Sequence, residues 1–234
     1  MKILQNEGSF KILALMTGVS GENPLQLMET AGRTAYQSRE KITDESSLKF
    51  IEFLRKRGHE SVFEHSCMIV ELNGVSRGLT HELVRHRIAS FTQESTRYVD
   101  EKDFTVIAPP NRDLETKAVE LKIPGSDAPV KVSFKDFVEL NEQMYKGLRQ
   151  QGWLPQDARQ ILPNGIEAQI VVTANLREWR HIFKMRCAMD AHWEIRQVMV
   201  KLLKEVKQRV PVLFDDFQIA EDGQSATLVK AQLK

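Results

Sequence analysis

Apolar positions recur along the chain at two spacings, and the switches between them mark the predicted elements. Residues 9–16 (Ser9-Phe10-Lys11-Ile12-Leu13-Ala14-Leu15-Met16) read as an opening strand, and a helix follows from about Pro24 to Ser38. Asp44 starts another, with Leu48, Ile51 and Leu54 at helical spacing and Gly58 as its stop. Over residues 62–72 the period drops to two: Met68, Val70 and Leu72 face one way, Cys67 and Ile69 the other. Ser76 is placed to cap a helix reaching about His86, with Leu79 and Leu83 on its buried side.

The second half continues the alternation. Phe104-Thr105-Val106-Ile107 reads as a short strand closed by Pro109-Pro110. Residues 111–131, with Pro124, Gly125 and Pro129, read as a surface excursion, helical in part at its start. Ser133 with Asp136 resembles a capping box, and the helix it opens carries Phe137, Leu140, Met144 and Leu148 up to Gly152. A short helix over Gln156–Leu162 stops at Pro163, and Ala168, Ile170, Val172 and Ala174 alternate as a strand. Asn175 caps a helix over about 177–187. A long helix then runs to about Arg209, with Trp193, Ile195, Met199, Leu202, Leu203 and Val206 as its stripe and Pro211 as its end. Without repeats or low-complexity segments, one α+β domain is the simplest account.

Charge and cysteine content narrow what such a domain can do. Lys+Arg 33 against Asp+Glu 32 leaves a formal charge of +1 over 234 residues, so no global basic field drives nonspecific nucleic-acid binding. Cys67 and Cys187 are far apart and in no metal-like spacing, which suits a reducing, cytoplasmic setting. No apolar run approaches the roughly 20 residues of a membrane span. The first seven residues lack the charged-then-apolar pattern of a secretory signal.

Against that neutral background, residues 85–98 stand out, with Arg85, His86, Arg87, Ser90, Ser95, Arg97 and Tyr98 in one stretch. Guanidinium groups bind phosphate with paired hydrogen bonds, and hydroxyls and backbone N–H groups complete the shell, so the stretch reads as a pocket for a phosphorylated small molecule. A solvated basic loop is the ordinary alternative. Neither a G-x-G-x-x-G nor a G-x-x-x-x-G-K-[ST] turn is present, so a nucleotide needs side-chain phosphate contacts. His59 and His65 are six apart across the Gly58 stop, and His81 and His86 lie about 140° apart around a helix, so no bound metal is expected. Cys67 reads as core and Cys187 as packed inside a helix, not as nucleophiles. A second polar set comprises Arg159, Asn175, Arg177, His181 and Arg186. Asn175 as a cap and Arg177 as a surface residue are its ordinary readings.

Arg85-His86-Arg87, seven residues, then Ser95 resembles the R-H-R-x7-S signature of flavin-dependent thymidylate synthases, and Arg97-Tyr98 extends it. Gly58 to His65 is similar to that family's G-H-x-[ST]-x-x-E-H segment, Arg159 to Pro163 to its A-R-x-x-L-P, Asn175 to Arg186 to its N-x-R…L-R, and Ala191 to Arg196 to its A-x-x-E-I-R helix. The matches keep the family's order across most of residues 58–200. Two departures occur: His181 stands where some members have asparagine, and His192 where many have glutamine.

The resemblance implies an enzyme that converts dUMP to dTMP, with carbon from 5,10-methylenetetrahydrofolate and reducing power from FAD recharged by NADPH. It implies a single α+β domain over residues 1–217, a mostly antiparallel sheet packed by long helices, a tail over 218–234, and assembly as a homotetramer with FAD and dUMP between subunits. Flavin-binding positions fall on Ser61, Arg85, His86, Arg87, Gln93, Asn175, Arg177 and His181. Positions for dUMP fall on Glu82, Arg85, Gln93, Glu94, Ser95, Thr96, Arg97, Arg159 and Arg186, with Arg186 as the arginine that polarises uracil. A fixed guanidinium stabilises developing negative charge in a pocket, so no cysteine nucleophile is required. Two rivals stay open: a single-stranded nucleic-acid binder using the arginines with Phe91 and Tyr98, and a flavoprotein of the same fold without methyl transfer.

Overall fold

The computed structural model describes residues 1–5, 8–122, 124–125 and 127–229. Its contacts divide the chain into two compact units, each drawn from three separate stretches. One comprises the first residues, Gly74–Thr80 and Gln93–Gln169; the other comprises Gly8–Asn73, His81–Thr92 and the chain from Ile170 onward.

In the first unit, strands β1 (Lys2–Leu4) and β5 (Thr105–Ile107) pair in parallel, with Ile3 opposite Val106. Phe104, Val106, Val138 and Ile166 form a small core, covered by Met1, Ile3 and Leu162. Strands β6 (Ala118–Leu121) and β7 (Val130–Ser133) make an antiparallel hairpin that begins in the predicted excursion and runs two residues past it; the expected helical start is absent from its described residues. Residues 123 and 126 of that excursion lie outside the described residues.

Ser133 and Asp136 form the predicted reciprocal capping box that starts helix α4 (Phe134–Gln150). Its buried face is Val138, Glu142 and Tyr145. Of the predicted apolar stripe, Phe137, Leu140 and Met144 point to solvent instead, each at least half exposed, while Leu148 is half-buried. Helix α5 (Pro155–Ala158) and a 3-10 turn over Arg159–Ile161 follow, as expected ahead of Pro163.

The second unit holds most of the buried apolar side chains. Helix α1 (Pro24–Ala35) starts at a reciprocal Asn23–Gln26 box, and α2 (Ser46–Lys56) buries Ile51 and Leu54. Gly58 ends that helix at φ +72°, a backbone conformation only glycine adopts freely. Residues 60–65, predicted in part as strand, form a 3-10 turn anchored by fully buried Phe63. Strand β3 (Cys67–Ser76) then alternates as expected, with Met68, Val70 and Leu72 fully buried. Cys67, expected in the core, is half-buried because it lies on the opposite face of that strand.

Strands β2 (Ser9–Leu15), β3, β8 (Glu167–Asn175) and β4 (Ala89–Gln93) form a sheet in the order β2-β3-β8-β4, with β2 and β3 antiparallel. Helix α3 (Arg77–Leu83) follows β3 directly, and Ser76 Oγ accepts from the Leu79 N–H at 3.0 Å as the cap reading requires. Helices α6 (Leu176–Arg186) and α7 (Trp193–Arg209) complete the second unit's core, with Trp179 Nε1 donating to the Met68 carbonyl at 3.1 Å. Of the predicted α7 stripe, Ile195, Met199, Leu202, Leu203 and Val206 are fully buried. Within the predicted tail, β9 (Phe217–Ile219) and β10 (Ala226–Leu228) pair antiparallel, and residues 230–234 lie outside the described residues. No helix among the described residues is long and apolar enough to cross a membrane.

Candidate active site

Helix α6 starts where β8 ends. Asn175 Oδ1 accepts from the Glu178 N–H at 2.8 Å, which satisfies one of the helix's open donors. From that start the helical period buries Leu176, Trp179, Ile182 and Phe183 and turns Arg177, His181 and Lys184 outward along one face. The loop after α3 supplies Arg85 to Ile88. Together these line a cleft of about 640 Å³ that also takes in Glu60, Glu64, Asn175, Glu178, Arg180 and Leu228.

Six of the eight predicted flavin positions line that cleft: Arg85, His86, Arg87, Asn175, Arg177 and His181. Ser61 lines a smaller hollow of about 330 Å³ that shares Glu60 and Arg177 with it. Gln93 belongs to the first unit, where its Nε2 is buried without a hydrogen-bond partner among the described residues. Arg177 pairs with Glu64 and, at 3.9 Å, with Glu60. Arg85 and Arg87 are exposed and form no ion pair among the described residues, leaving two guanidinium groups open to an anion.

Arg186 is the most firmly oriented member of the set. Its Nη1 donates to Glu82 Oε2 at 2.9 Å, its Nη2 to the Glu82 carbonyl at 2.8 Å, and its Nε to His86 Nε2 at 3.0 Å. His86 therefore presents a lone pair at Nε2 and carries its proton at Nδ1. Burial, then the nearby Arg186 charge, then His181 push its pKa down to about 4, so the ring is neutral at physiological pH. Glu178 Oε1 stands 3.3 Å from His86 Nδ1. Burial raises the Glu178 pKa above the usual carboxylate range.

His86, Glu178 and His181 each offer a ligand atom, all within 4.8 Å of one another. The sequence pairings considered for a metal, His59 with His65 and His81 with His86, missed this long-range grouping. Arg186 occupies Nε2 of His86 and its charge opposes a cation there, so the cluster is better suited to hydrogen bonding than to metal binding.

The remaining predicted substrate positions sit in the first unit. Arg159 Nη1 donates to Thr96 Oγ1 at 3.2 Å, and the Arg97 N–H to Ser95 Oγ at 3.3 Å. Arg97 reaches Gln156 Oε1 at 3.5 Å and lies over the Tyr98 ring at 5.5 Å. Arg77, outside the predicted set, donates from Nη2 to the Glu94 carbonyl at 2.8 Å and braces the start of this stretch. Glu101 is pushed up to about 7 by burial and then by Glu94. His192 is the exposed residue before α7, its ring 5.3 Å from Trp193.

Glu178 and Lys184 were not singled out in the sequence. Glu178 carried one readable signal, a carboxylate three residues after the Asn175 cap. Its backbone meets the cap while its side chain turns to His86.

Residues 16–212 match the family described as thymidylate synthase complementing protein. The chain is 36% identical over 200 residues to the flavin-dependent thymidylate synthase of Mycolicibacterium vanbaalenii, covering 82% of this chain and 79% of that one. It is 38% identical over 208 residues to the enzyme of the same name from Mycobacteroides abscessus, covering 83% and 80%. In three dimensions it is similar to the UMP/dUMP methylase PolB from Streptomyces cacaoi, bound there with 5-Br dUMP. The TM-score is 0.69 at 21% identity, over 92% of this chain and 96% of that one, a likeness of fold.

Proposed function

The chain belongs to the flavin-dependent thymidylate synthase family of methyltransferases, and from that premise we propose that it converts dUMP to dTMP without a cysteine nucleophile. The reading takes FAD as the bound flavin, NADPH as reductant and 5,10-methylenetetrahydrofolate as carbon donor. The observation that carries it is Arg186, fixed by Glu82 and His86 beside a cleft lined by Arg85 and Arg87.

The cleft's donor set fits a flavin nucleotide. Arg85, Arg87 and Arg177 suit a pyrophosphate, while Ser61, Asn175 and His181 supply hydrogen-bonding groups for its sugar and ring. When bound, the flavin supplies the redox chemistry. Arg97 and Arg159, with Ser95 and Thr96, suit the substrate phosphate, and Gln93 and Glu94 its polar edges. Among the described residues three of the five Arg186 N–H groups are engaged, so two remain to hold the uracil ring as negative charge builds on it.

The cysteines agree with this division of labour. Cys187 is fully buried and burial pushes its thiol well above the ordinary range; burial also raises that of Cys67. A high thiol pKa suppresses the nucleophilic thiolate. Both thiols are free, which supports a cytoplasmic setting. Assembly as a homotetramer belongs to the same reading, supported by Phe137, Leu140 and Met144, which α4 holds in water.

Purified protein should be yellow and form dTMP from dUMP, NADPH and the folate. A Cys67→Ala/Cys187→Ala variant should retain that activity. A colourless protein that binds single strands with steep salt dependence would instead favour nucleic acid, and flavin reduction without dTMP a flavoprotein lacking methyl transfer. Light scattering should give a tetramer, and reassociated mixtures of Arg97→Ala and His86→Ala should regain activity if the two residues enter one site from different chains. A monomer of undiminished activity would refute the assembly.

A further inference from the structure

Glu178 is 6% exposed, its neighbour His86 is 5% exposed, and the two meet at 3.3 Å between Oε1 and Nδ1. The other side chain facing that carboxylate is His181, which has a ring nitrogen within 4.8 Å and favours its charged form, but the closer contact is to His86. Burying a carboxylate costs free energy unless a donor compensates it. The donor in reach is the Nδ1 proton, because Nε2 of the same ring must accept from Arg186. Glu178 also occupies the third position of α6, where the helix dipole favours negative charge, and its backbone is pinned by the Asn175 cap.

We propose that Glu178 is a positioning residue. It holds the Nδ1 proton of His86, thereby keeping Nε2 unprotonated and aimed at Arg186, and through that ring it orients the guanidinium over the substrate. The inference rests on the reading of Arg186 given above and deepens it. Four groups act in line: the Glu178 carboxylate, the neutral His86 ring, the Arg186 guanidinium and Glu82. Arg186 is thereby gripped from two sides, by Glu82 at its Nη atoms and by the braced imidazole at Nε. Without Glu178 the ring can turn or move its proton to Nε2. That proton would face the Nε–H of Arg186, donor against donor, and expel the guanidinium from its present pose. The neighbouring His181 ring, 5.4 Å away edge-on, limits tilting of His86 but offers no acceptor shown to reach Nδ1.

The test pairs Glu178→Gln, which keeps a carbonyl acceptor and the side-chain volume, with Glu178→Leu, which keeps only the volume. Flavin-loaded proteins labelled with 15N-histidine would be compared by solid-state NMR, the His86 signal being identified by its loss in His86→Gln. Wild type should show His86 protonated at Nδ1 alone, and Glu178→Gln should match it with kcat within about threefold. Glu178→Leu should show a mixture of tautomers and lose at least about tenfold in kcat, with KM for dUMP little changed, the scale on which outer partners of a functional histidine act. Glu178→Leu with pure Nδ1 protonation and unchanged kcat would overturn the inference, as would Glu178→Gln impaired as severely as Glu178→Leu. Should wild type form no dTMP, the proposed reaction would fail, while the tautomer measurement would still decide whether Glu178 governs His86.

Discussion

Arg180 and Arg186 sit six residues apart on one helix, point to different sides of it, and are both held by hydrogen bonds, yet they are built for different purposes. Arg180 borders the cleft but is the more enclosed of the two. Its Nη atoms meet Asp216 at 2.8 and 2.7 Å, Nη1 also reaches the Leu213 carbonyl, and Arg55 approaches the same aspartate at 3.4 Å. Its side chain keeps 6% exposure, against 16% for Arg186. Arg186 faces a carboxylate and a backbone carbonyl on one edge but a neutral imidazole on the other. The difference separates an arginine whose charge is fully matched from the one that the proposed function sets to work on substrate. The first has its charge matched by a largely enclosed carboxylate; the second is oriented by its surroundings while more of it stays open.

The comparison predicts opposite mutational signatures. Arg180→Met should cost about 3–5 kcal/mol in urea unfolding, because it strips Asp216 of its main partner in a buried setting. A variant as stable as wild type would put Arg180 in the wrong class. Arg186→Lys should melt close to wild type and keep its flavin but lose at least about a hundredfold in turnover, equivalent to about 2.7 kcal/mol on the barrier. A point charge cannot reproduce three directed contacts, so activity within a few-fold of wild type would remove Arg186 from its role.

A pH measurement sharpens the contrast through His86. Its folded pKa of about 4 lies below the unfolded value, so the unfolded chain takes up a proton that the folded one refuses. Its stability contribution is intact above about pH 6.5 and is lost as pH falls toward 4. Stability of wild type minus that of His86→Gln should therefore decline over that window; a flat difference would mean the ring is not held neutral. Glu101 runs the other way in the first unit. Its pKa, raised to about 7, makes stability fall as pH climbs from about 4.5 to 7, and Glu101→Gln should abolish that fall. The smallest effect belongs to the cap beneath both arginines: Asn175→Ala should cost about 1 kcal/mol and leave the Arg180–Asp216 pairing intact.

What could be read from sequence is what depends on neighbours in sequence. Ser76, Ser133 and Asn175 cap helices as expected because a cap needs only the next few N–H groups. Met68, Val70 and Leu72 alternate as expected because one face of β3 is dry. The hairpin of β6 and β7 escaped notice since β6 is exposed on every residue, so burial imprints no period on it. The 3-10 turn over residues 60–65 was hidden because adjacent Val62 and Phe63 imitate a strand, although Phe63 alone is fully buried. The α4 stripe was legible as a stripe, but periodicity does not say whether a face meets a core or solvent. Within the candidate site, the arginines and Asn175 announced themselves by type and spacing. The Glu178–His86–Arg186 line did not, for His86 lies 100 residues before Arg186 and nearly as far before Glu178.

Just behind Arg186, the Cys187 carbonyl accepts from the Ala226 N–H at 2.7 Å, and Leu228 of the same short strand borders the cleft. Translation delivers α6 well before that strand, so an emerging chain carries Arg186, Glu82 and His86 while the clasp at the helix's end is still unmade. A chain that stops short of Ala226 lacks that clasp, and the end of α6 that carries Arg186 is then held only from its own side of the cleft.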